Sequence, residues 1–465
     1  MSAPHEPVPT GPVPVARHTR EGIWSARYVW VTVGAVAMIF LAAMQSLAIT
    51  TVMPFVVADL QGEALFAVAF SGTLATSVIG MVAVGAWCDR SAPTVPLTSA
   101  VALFVVGLLL AGLAPTMEVL VAGRLIQGLG VGGETVALYV VVARVYPSLL
   151  HGRVFAAFSA AWVVPSLIGP FLAGAVSDFL HWRWVFLGVA VLTAGAFVMV
   201  ALRLWGLPMH TDEPSRAPIA PRLACAFLVA AGALGVSLAG EAGPFALPVV
   251  AASVVLILVA VRPLLPRRTL LAGRGLPSVI LMRGVIAGAL FGAEIYIPYL
   301  LIAEYGFTAT WAGLGLTAAA IAWAAGAEVQ GRVGDRLGNQ RITVIGTALL
   351  TTAALVAMAT ALWLLSPAVI IAGWALAGAG MGLMYPRLTV LTLAYSTPAN
   401  QGFNSAALSI SDAVGAASAI AVMGLVFTGL GGTGAEYPAV FAIAAVLALL
   451  ALVPGLRMGR AHEQR

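Results

Sequence analysis

The chain has 465 residues, of which 61% are hydrophobic and 9% charged, and its mean hydropathy is +1.02. A water-soluble protein of this composition would expose a very large apolar surface, so the composition excludes a soluble globular protein. All 23 basic residues are arginine, and the formal net charge is +5. The sequence therefore predicts a protein whose solvent is lipid.

Apolar runs recur along the whole chain. A helix of about 20 apolar residues crosses a bilayer, so each run of that length between charges, prolines and polar turns predicts one span. Fourteen runs are predicted, at 29–57, 66–87, 95–114, 117–143, 154–177, 185–206, 222–240, 244–262, 277–303, 309–329, 342–364, 367–394, 403–429 and 437–456. The fold class predicted is an all-α membrane protein.

The segments outside the spans set the orientation. Residues 1–28 are rich in proline and arginine and contain no apolar stretch, which predicts a disordered cytoplasmic tail; a second short tail covers 458–465. With the N-terminus inside, 21 of the 23 arginines fall on the cytoplasmic side, Arg283 among them. This bias predicts that both termini are cytoplasmic in a multi-pass protein of the inner or plasma membrane. The positive charge thus reflects topology, and we expect no nucleic-acid partner.

Two sequence patterns occur twice. A Gly-x-x-x-Asp-Arg turn closes two apolar runs at an offset of 246 residues, and a run of glycines in span 4 recurs in span 12 at an offset of 250. This duplication predicts two six-helix bundles, 29–207 and 277–457, separated by a linker (208–276) that carries an inserted helix pair. The repeated strings are Gly85-Ala-Trp-Cys-Asp89-Arg90 and Gly331-Arg-Val-Gly-Asp335-Arg336, with Gly123-Arg-Leu-Ile-Gln-Gly128-Leu-Gly130-Val-Gly132 and Gly373-Trp-Ala-Leu-Ala-Gly378-Ala-Gly380-Met-Gly382.

Together with these turns, three further strings resemble the signature motifs of the major facilitator superfamily: Arg124-x-x-Gln127-Gly128, Gly169-Pro170-x-x-x-Gly174 and Trp182-Arg183-Trp184-x-Phe186. The last two, with a central extra pair of spans, are similar to its 14-helix drug:proton antiporter branch. The resemblance implies alternating access by two bundles, export of hydrophobic or amphipathic compounds in exchange for protons, and antibiotic resistance.

The chain departs from that branch at three places. Gln45 stands where the branch usually has an aspartate in span 1, so one expected proton-coupling acid is absent. The segment after Asp89-Arg90 reads Ser-Ala-Pro-Thr, without the usual glycine and basic residues. Ala173 replaces one glycine of the span 5 motif, which is a mild change.

Four ionisable residues are predicted well inside spans, where a charge costs a few kcal/mol or more. We expect Glu294, Glu134 and Asp412 to bind protons or substrate; the alternatives are an interhelical hydrogen bond, a span 1 or span 4 polar partner, and a local bond to Ser409 or Ser411, respectively. Arg124 resembles the buried arginine that assists proton relay in the superfamily, and its alternative is snorkelling to the interface. The full expected coupling or binding set is Glu294, Glu134, Asp412, Arg124, Gln45, Tyr296 and Trp162.

Other residues are expected to act in conformational change. Charged pairs at the turns can lock helix ends and must separate when that face opens, which predicts gating residues Gly85, Asp89, Arg90, Gly331, Asp335, Arg336, Gly338 and Arg341. Gly169, Pro170 and Gly174 are expected to form a hinge in span 5, with close helix packing as the alternative.

The function predicted is proton-coupled efflux by a secondary transporter. No Walker motif, metal-ligand cluster or nucleophile triad occurs, so we expect no cofactor, no metal and no enzyme activity. The expected partners are a small-molecule substrate, protons and the lipid bilayer, with the chain acting as a monomer. A metabolite or lipid carrier, exporter or symporter, is the first alternative, and a non-transporting sensor or scaffold is the second.

Overall fold

The computed structural model describes residues 22–61, 65–204, 218–307, 311–312 and 316–459. The predicted N-terminal tail and the C-terminal tail lie mostly outside these residues, as does the first part of the linker. All regular structure in the described part of the chain is helical.

Seventeen α-helices have their bounds within the described part of the chain. They are α1 (Val29–Leu60), α2 (Phe66–Cys88), α3 (Thr94–Gly112), α4 (Met117–Val145), α5 (Ser148–Ala160), α6 (Val163–Phe179), α7 (Arg183–Leu204), α8 (Ala220–Leu238), α9 (Ala246–Ala260), α10 (Leu276–Glu294), α11 (Tyr296–Tyr305), α12 (Thr317–Leu337), α13 (Asn339–Trp363), α14 (Pro367–Ala394), α15 (Gln401–Gly429), α16 (Glu436–Leu450) and α17 (Leu452–Leu456).

Twelve helical segments in the described ranges are long and apolar enough to cross a membrane. Two of the fourteen predicted spans, 154–177 and 309–329, are not among them. The first is divided into α5 and α6, and the second overlaps α12, whose later turns carry Glu328, Arg332 and Arg336. The structure thus shows a multi-pass helical protein with twelve such spans, and the count of fourteen stays a prediction.

Two helix breaks each precede a proline. The α5–α6 break lies at Ala161–Trp162, four residues before Pro165, and the α10–α11 break lies at Ile295, next to Glu294 and before Pro298. Proline has no N–H to donate to the carbonyl four residues earlier, so Pro165 releases the carbonyl of Ala161 and Pro298 releases that of Glu294. The second break places a carboxyl at a point where the helix is interrupted.

The duplicated glycines let helices cross closely. On α4, a methyl group at Gly128 or Gly132 would clash with carbonyl oxygens of α2, at Thr73 and Ser77. In the second half, a methyl group at Gly378 or Gly382 of α14 would clash with carbonyl oxygens of α12, at Ala319 and Trp323. The two contacted pairs are themselves 246 residues apart, so the two copies of the glycine run make equivalent contacts.

The described chain begins and ends at the same end of the helix bundle. We call this the terminal end. There Thr32 bonds to Ile23 and to Tyr146, which follows α4, while the carbonyl of Arg457 accepts the N–H of Gly275. The halves meet at this end along two seams, α2 against α15 and α5 against α12. The helices α8 and α9 pack on each other, α8 against α2 and α9 against α15.

Candidate functional site

An ion pair lies inside the second half. Arg283 of α10 donates from Nε to Asp412 Oδ1 of α15 at 2.8 Å, and Tyr385 of α14 donates its hydroxyl to the same oxygen at 2.5 Å. The Arg283 guanidinium lies 3.4 Å from the centroid of the Tyr385 ring and also donates to the Tyr385 carbonyl at 3.1 Å. We call Arg283, Tyr385 and Asp412 the ion-pair cluster.

Small residues beside this cluster bring its helices together. A methyl group at Gly284 would lie 2.7 Å from the carbonyl oxygen of Ser411, and the Ser411 hydroxyl donates to the carbonyl of Ile280 at 2.8 Å. Because Gly284 and Ser411 adjoin Arg283 and Asp412, the close crossing of α10 and α15 sets the two charged side chains at bonding distance. Asp412 bonds to Arg283 and Tyr385, and among the described residues no hydrogen bond joins it to Ser409 or Ser411, which was the alternative to proton or substrate binding.

Aromatic rings extend the cluster in both directions. The Tyr385 ring contacts Trp323 edge-on with centroids 4.9 Å apart, and Trp323 contacts Phe291 at 6.4 Å. Tyr139 of α4 interacts with Arg283, which connects the first half to the cluster. Glu294 lies one helical turn beyond Phe291, half-buried, and interacts with the Trp374 indole, whose N–H makes no hydrogen bond of normal geometry.

Arg124 lies inside the first half, where it is 4% exposed. Its Nε donates to the carbonyl of Ala69 at 3.1 Å, and one terminal nitrogen donates to Gln127 Oε1 at 2.8 Å. The side chain is therefore held between α4 and α2 and does not snorkel to an interface.

Glu134 and Gln45 are both 1% exposed, and neither side chain has a hydrogen-bond partner among the described residues. The apolar clusters on either side of these two residues indicate that they lie at a similar level along α1 and α4. One apolar cluster joins Met38 and Leu41 of α1 to Leu138 of α4, and another joins Ile49 of α1 to Leu120 of α4.

Because α1 and α4 are antiparallel, Gln45 on α1 and Glu134 on α4 both lie between these two clusters. Gly169 of α6 also reaches this level, because a methyl group there would lie 3.5 Å from the sulfur of Met44. The first half thus contains a buried carboxyl whose bonding capacity is unused.

Asp89 joins the two halves at the terminal end. Its carboxylate accepts the backbone N–H of Gly402 at 2.6 Å and that of Phe403 at 2.9 Å, both in the first turn of α15. Free N–H groups and the helix dipole make a helix N-terminus a favourable place for a carboxylate. A methyl group on Gly402 would clash with the carbonyl oxygen of Gly85, so glycine at both positions permits this approach. We call Gly85, Asp89, Gly402 and Phe403 the clasp.

Arginines surround the clasp. Arg144, at the end of α4, donates to the carbonyls of Cys88 at 2.8 Å and Pro398 at 3.4 Å, and so contacts both halves. Arg222 of α8 lies 4.1 Å from the Phe403 ring centroid. Burial raises the pKa of Asp89 to about 6, although the backbone N–H groups of Phe403 and Gly402 and the charges of Arg144 and Arg222 lower it.

The second turn is arranged similarly around glycine. A methyl group at Gly331 would lie 3.2 Å from the β-carbon of Ala156 and 3.4 Å from the carbonyl oxygen of Gly152, both in α5. Gly152 and Gly402 are 250 residues apart, so each Gly-x-x-x-Asp-Arg turn faces an equivalent glycine of the other half. Asp335 lies in α12, and its side chain is outside the described part. Gly338 ends α12 with φ +76°, while Arg336 and Arg341 are exposed.

The remaining predicted residues lie apart from the ion-pair cluster. Trp162 is 47% exposed at the α5–α6 break, and Tyr296 contacts Phe427 with centroids 4.8 Å apart. Arg90, in the turn after α2, donates to the carbonyl of Ala86 in α2 at 2.6 Å. The backbone of α6 is helical through Gly169, Pro170 and Gly174, and the hinge role stays a prediction.

The Trp182-Arg183-Trp184 string has a structural part in the first half. Trp182 donates its indole N–H to Asp59 at 3.1 Å, and Arg183 lies 3.6 Å from the same carboxylate and donates to the carbonyl of Ala114 at 2.6 Å. These bonds connect the end of α1, the end of α3 and the start of α7.

The sequence motifs give no role to Arg283 or Arg144. The cytoplasmic side predicted for Arg283 stays a prediction, and its side chain is 7% exposed and paired with Asp412 within the helix bundle. Arg283 is the eighth residue of α10 and lies near a predicted span end, which favours a place at the membrane–water interface. The signal that could have identified it is the neighbouring Gly284, which marks a close helix crossing.

A multi-pass helical fold with equivalent glycine contacts in its two halves and ionisable side chains in its interior defines a membrane transporter. The profile of the Major Facilitator Superfamily matches residues 35–363 and 279–464, and the chain belongs to this family. It is a transporter rather than an enzyme, it works in the membrane, and such transporters bind small-molecule substrates.

Curated relatives include a probable multidrug-efflux transporter of Mycobacterium tuberculosis, 27% identical over 92% of this chain and 94% of that protein. An uncharacterized MFS-type transporter of the same organism is 32% identical, but the match spans 35% of this chain and only 25% of that relative.

Solved structures with the same fold include a bacterial homologue of the iron transporter ferroportin in an outward-facing state, with a TM-score of 0.70, 12% identity and coverage of 92% of this chain and 99% of that chain. The proton:xylose symporter XylE has a TM-score of 0.62 at 15% identity, with coverage of 91% of this chain and 94% of that chain.

Proposed function

We propose that the protein is a proton-coupled exporter of hydrophobic or amphipathic drug-like compounds. The observation that carries the proposal is the set of carboxyl groups inside the spans, above all Glu134, which is buried and has no hydrogen-bond partner in the part of the chain that the structure describes. An ionised carboxylate without partners is costly in an apolar interior, whereas a neutral acid is far less so. Burial of such a group therefore favours proton uptake, and exposure to water favours release. The full-length similarity to a probable multidrug-efflux transporter supports the choice of substrate class.

The ion-pair cluster is the proposed place where substrate and proton compete. Asp412 is half-buried, and it is bonded to Arg283 and Tyr385. A proton on Asp412 would weaken its bond to Arg283, and a cationic substrate near Asp412 would compete with that proton. Phe291, Trp323 and Tyr385 offer ring faces to a flat or cationic compound. Glu294, one turn beyond Phe291, is a second carboxyl along the same side.

Alternating access requires the clasp to open and close. We assign the present conformation to a state closed at the terminal end, because Asp89 bonds to the first turn of α15 and Gly331 contacts α5 there. With the terminal end cytoplasmic, this state receives protons from outside and releases substrate there. One charge moving through 100 mV supplies about 2.3 kcal/mol, which is enough to concentrate a neutral substrate some fifty-fold.

We also propose the finer topology. Counting α5–α6 and α12 as spans gives fourteen, with α8 and α9 as a central pair between two six-helix bundles, in a monomer of the inner or plasma membrane. Both termini are then cytoplasmic, as the arginine bias predicts. The orientation is tested by the labelling of a Thr397→Cys variant with a thiol reagent that cannot cross the membrane, applied from each side of the membrane in turn.

The test of the function is transport in proteoliposomes with an imposed pH gradient and a panel of lipophilic cations. Glu134→Gln, Glu294→Gln and Asp412→Asn are each expected to reduce substrate-dependent proton movement at least about tenfold, as for loss of an acid–base group. Glu118→Gln is the matched control, since Glu118 is exposed in the first turn of α4. Equal proton movement in all four variants would remove the carboxyls from coupling.

A metabolite or lipid carrier of the same family is the alternative. Gln45 replaces the expected span 1 acid, and the buried Arg283 gives the candidate site a cation that favours organic anions. Competition assays separate the two: lipophilic cations inhibit an exporter of drug-like cations, whereas organic carboxylates inhibit an anion carrier. A non-transporting scaffold is disfavoured because charges inside a bilayer need a functional reason.

A further inference from the structure

A groove of about 1060 Å³ opens beside the α5–α12 seam. Its walls are the first turns of α1, the length of α5 and the start of α6, and the last turns of α12. Apolar residues such as Phe40, Ala157 and Val164 line one part of it, and Arg153, Glu328 and Arg332 lie together at the terminal end.

The dimensions match one leaflet of a bilayer. From Arg153 to Val164 the chain advances eleven residues, or about 16 Å of helix, which is close to half of the about 30 Å hydrocarbon thickness. Trp24, 60% exposed, lies at the polar end, where tryptophan favours the membrane interface. The groove is therefore polar at headgroup depth and apolar at acyl-chain depth.

The equivalent seam on the other side of the molecule is covered. There α8 packs on α2, α9 contacts α15, and Arg222 lies over Phe403. The α5–α12 seam has no such pair among the described helices. The duplication thus gives two related seams, of which one is covered by α8 and α9 and the other is not covered by any described helix.

The charges favour an anionic occupant. Glu328 and Arg332 neutralise each other at 2.7 Å, so Arg153 leaves the polar end with one net positive charge. Arg153 makes no hydrogen bond or ion pair within the described part of the chain. We propose that this groove binds an anionic phospholipid of the terminal-end leaflet, with the phosphate at Arg153 and Arg332 and an acyl chain along α1 and α5. Because the lipid contacts both α5 and α12, it stabilises the state in which this seam is closed.

Binding of phosphatidylglycerol to detergent-purified protein, measured by native mass spectrometry and by the shift in unfolding temperature, tests this proposal. Arg153→Gln is expected to lower lipid affinity about fivefold, the factor for about 1 kcal/mol per arginine at a membrane surface. Ala157→Phe, which fills the apolar wall, is expected to lower it too. Arg203→Gln, an exposed arginine at the terminal end of α7, is the control and should bind as the wild type does.

Three results would overturn the proposal. They are equal binding by Arg153→Gln and Arg203→Gln, an equal shift with zwitterionic phosphatidylcholine, or an equal shift with inorganic phosphate. The transport assay tests the proposed function independently of the lipid site. Proton-coupled export can remain when the lipid site is absent, and the lipid site can exist when export is not coupled to protons.

Discussion

At the residue scale, glycine and aspartate at the clasp perform separate tasks. The glycines allow backbone approach between α2 and α15, and Asp89 supplies the bonds that hold it. The duplicated turn allowed the glycine and aspartate positions to be predicted from sequence. The partners of Asp89 could not be predicted, because they lie more than 300 residues away and depend on the packing of the halves.

Gly402→Ala is expected to favour opening of the terminal end, because its new methyl group would clash with the carbonyl oxygen of Gly85. The cost of such overpacking is about 1–3 kcal/mol. Spin labels at Val95→Cys and Thr397→Cys, in a background without Cys88 and Cys225, should report a longer distance. Gly188→Ala is the control, since nothing lies within 4 Å of a methyl group there. Unchanged distances in Gly402→Ala would contradict the close contact.

The pKa of Asp89 predicts a pH dependence of the clasp. The pKa is about 6 when Asp89 is buried and near its ordinary value of 3.8 when Asp89 is exposed, so the closed state binds more protons between these values. Acidification from pH 7 to 5 therefore stabilises the closed state relative to the open one, and that gain is lost as pH rises through 6. The spin-label distance should shorten on acidification in the wild type and stay constant in Asp89→Asn. The same pH response in both proteins would rule out Asp89 as its source.

At the scale of elements, the two proline-associated breaks set the local geometry of α5–α6 and α10–α11. Periodicity and glycine spacing predicted most helices and their close crossings, because those features depend on neighbouring residues and on small side chains. The hinge role of Gly169, Pro170 and Gly174 stays a prediction, and the observed helix break lies at Ala161–Trp162. The effect of Pro165 on the carbonyl four residues earlier explains that position.

Pro298→Ala is expected to restore the hydrogen bond to the Glu294 carbonyl and to straighten α10–α11, which moves Glu294 relative to Trp374. Transport should fall about tenfold, while thermal stability stays equal or rises. Pro367→Ala is the control, because a proline at the start of a helix removes no internal bond. Wild-type transport in Pro298→Ala would show that the break is not required.

At the scale of the whole molecule, the duplication organises the clasp, the glycine crossings and the two seams. The family, the helical fold and the embedded carboxyls could be predicted from sequence, since composition and repeats encode them. The Arg283–Asp412 pair could not, because its members are 129 residues apart and meet only after α10 and α15 pack. The alternative considered for Asp412, a local bond to Ser409 or Ser411, involves only neighbours in sequence.

The most direct test of the account is proton movement coupled to substrate in proteoliposomes that contain a pH-sensitive dye. Addition of a lipophilic cation is expected to cause proton flux against the direction of substrate transport in the wild type and in Glu118→Gln. Asp412→Asn should reduce that flux at least about tenfold. Substrate transport that continues unchanged after the pH gradient and membrane potential are abolished, or that moves no protons, would contradict the account.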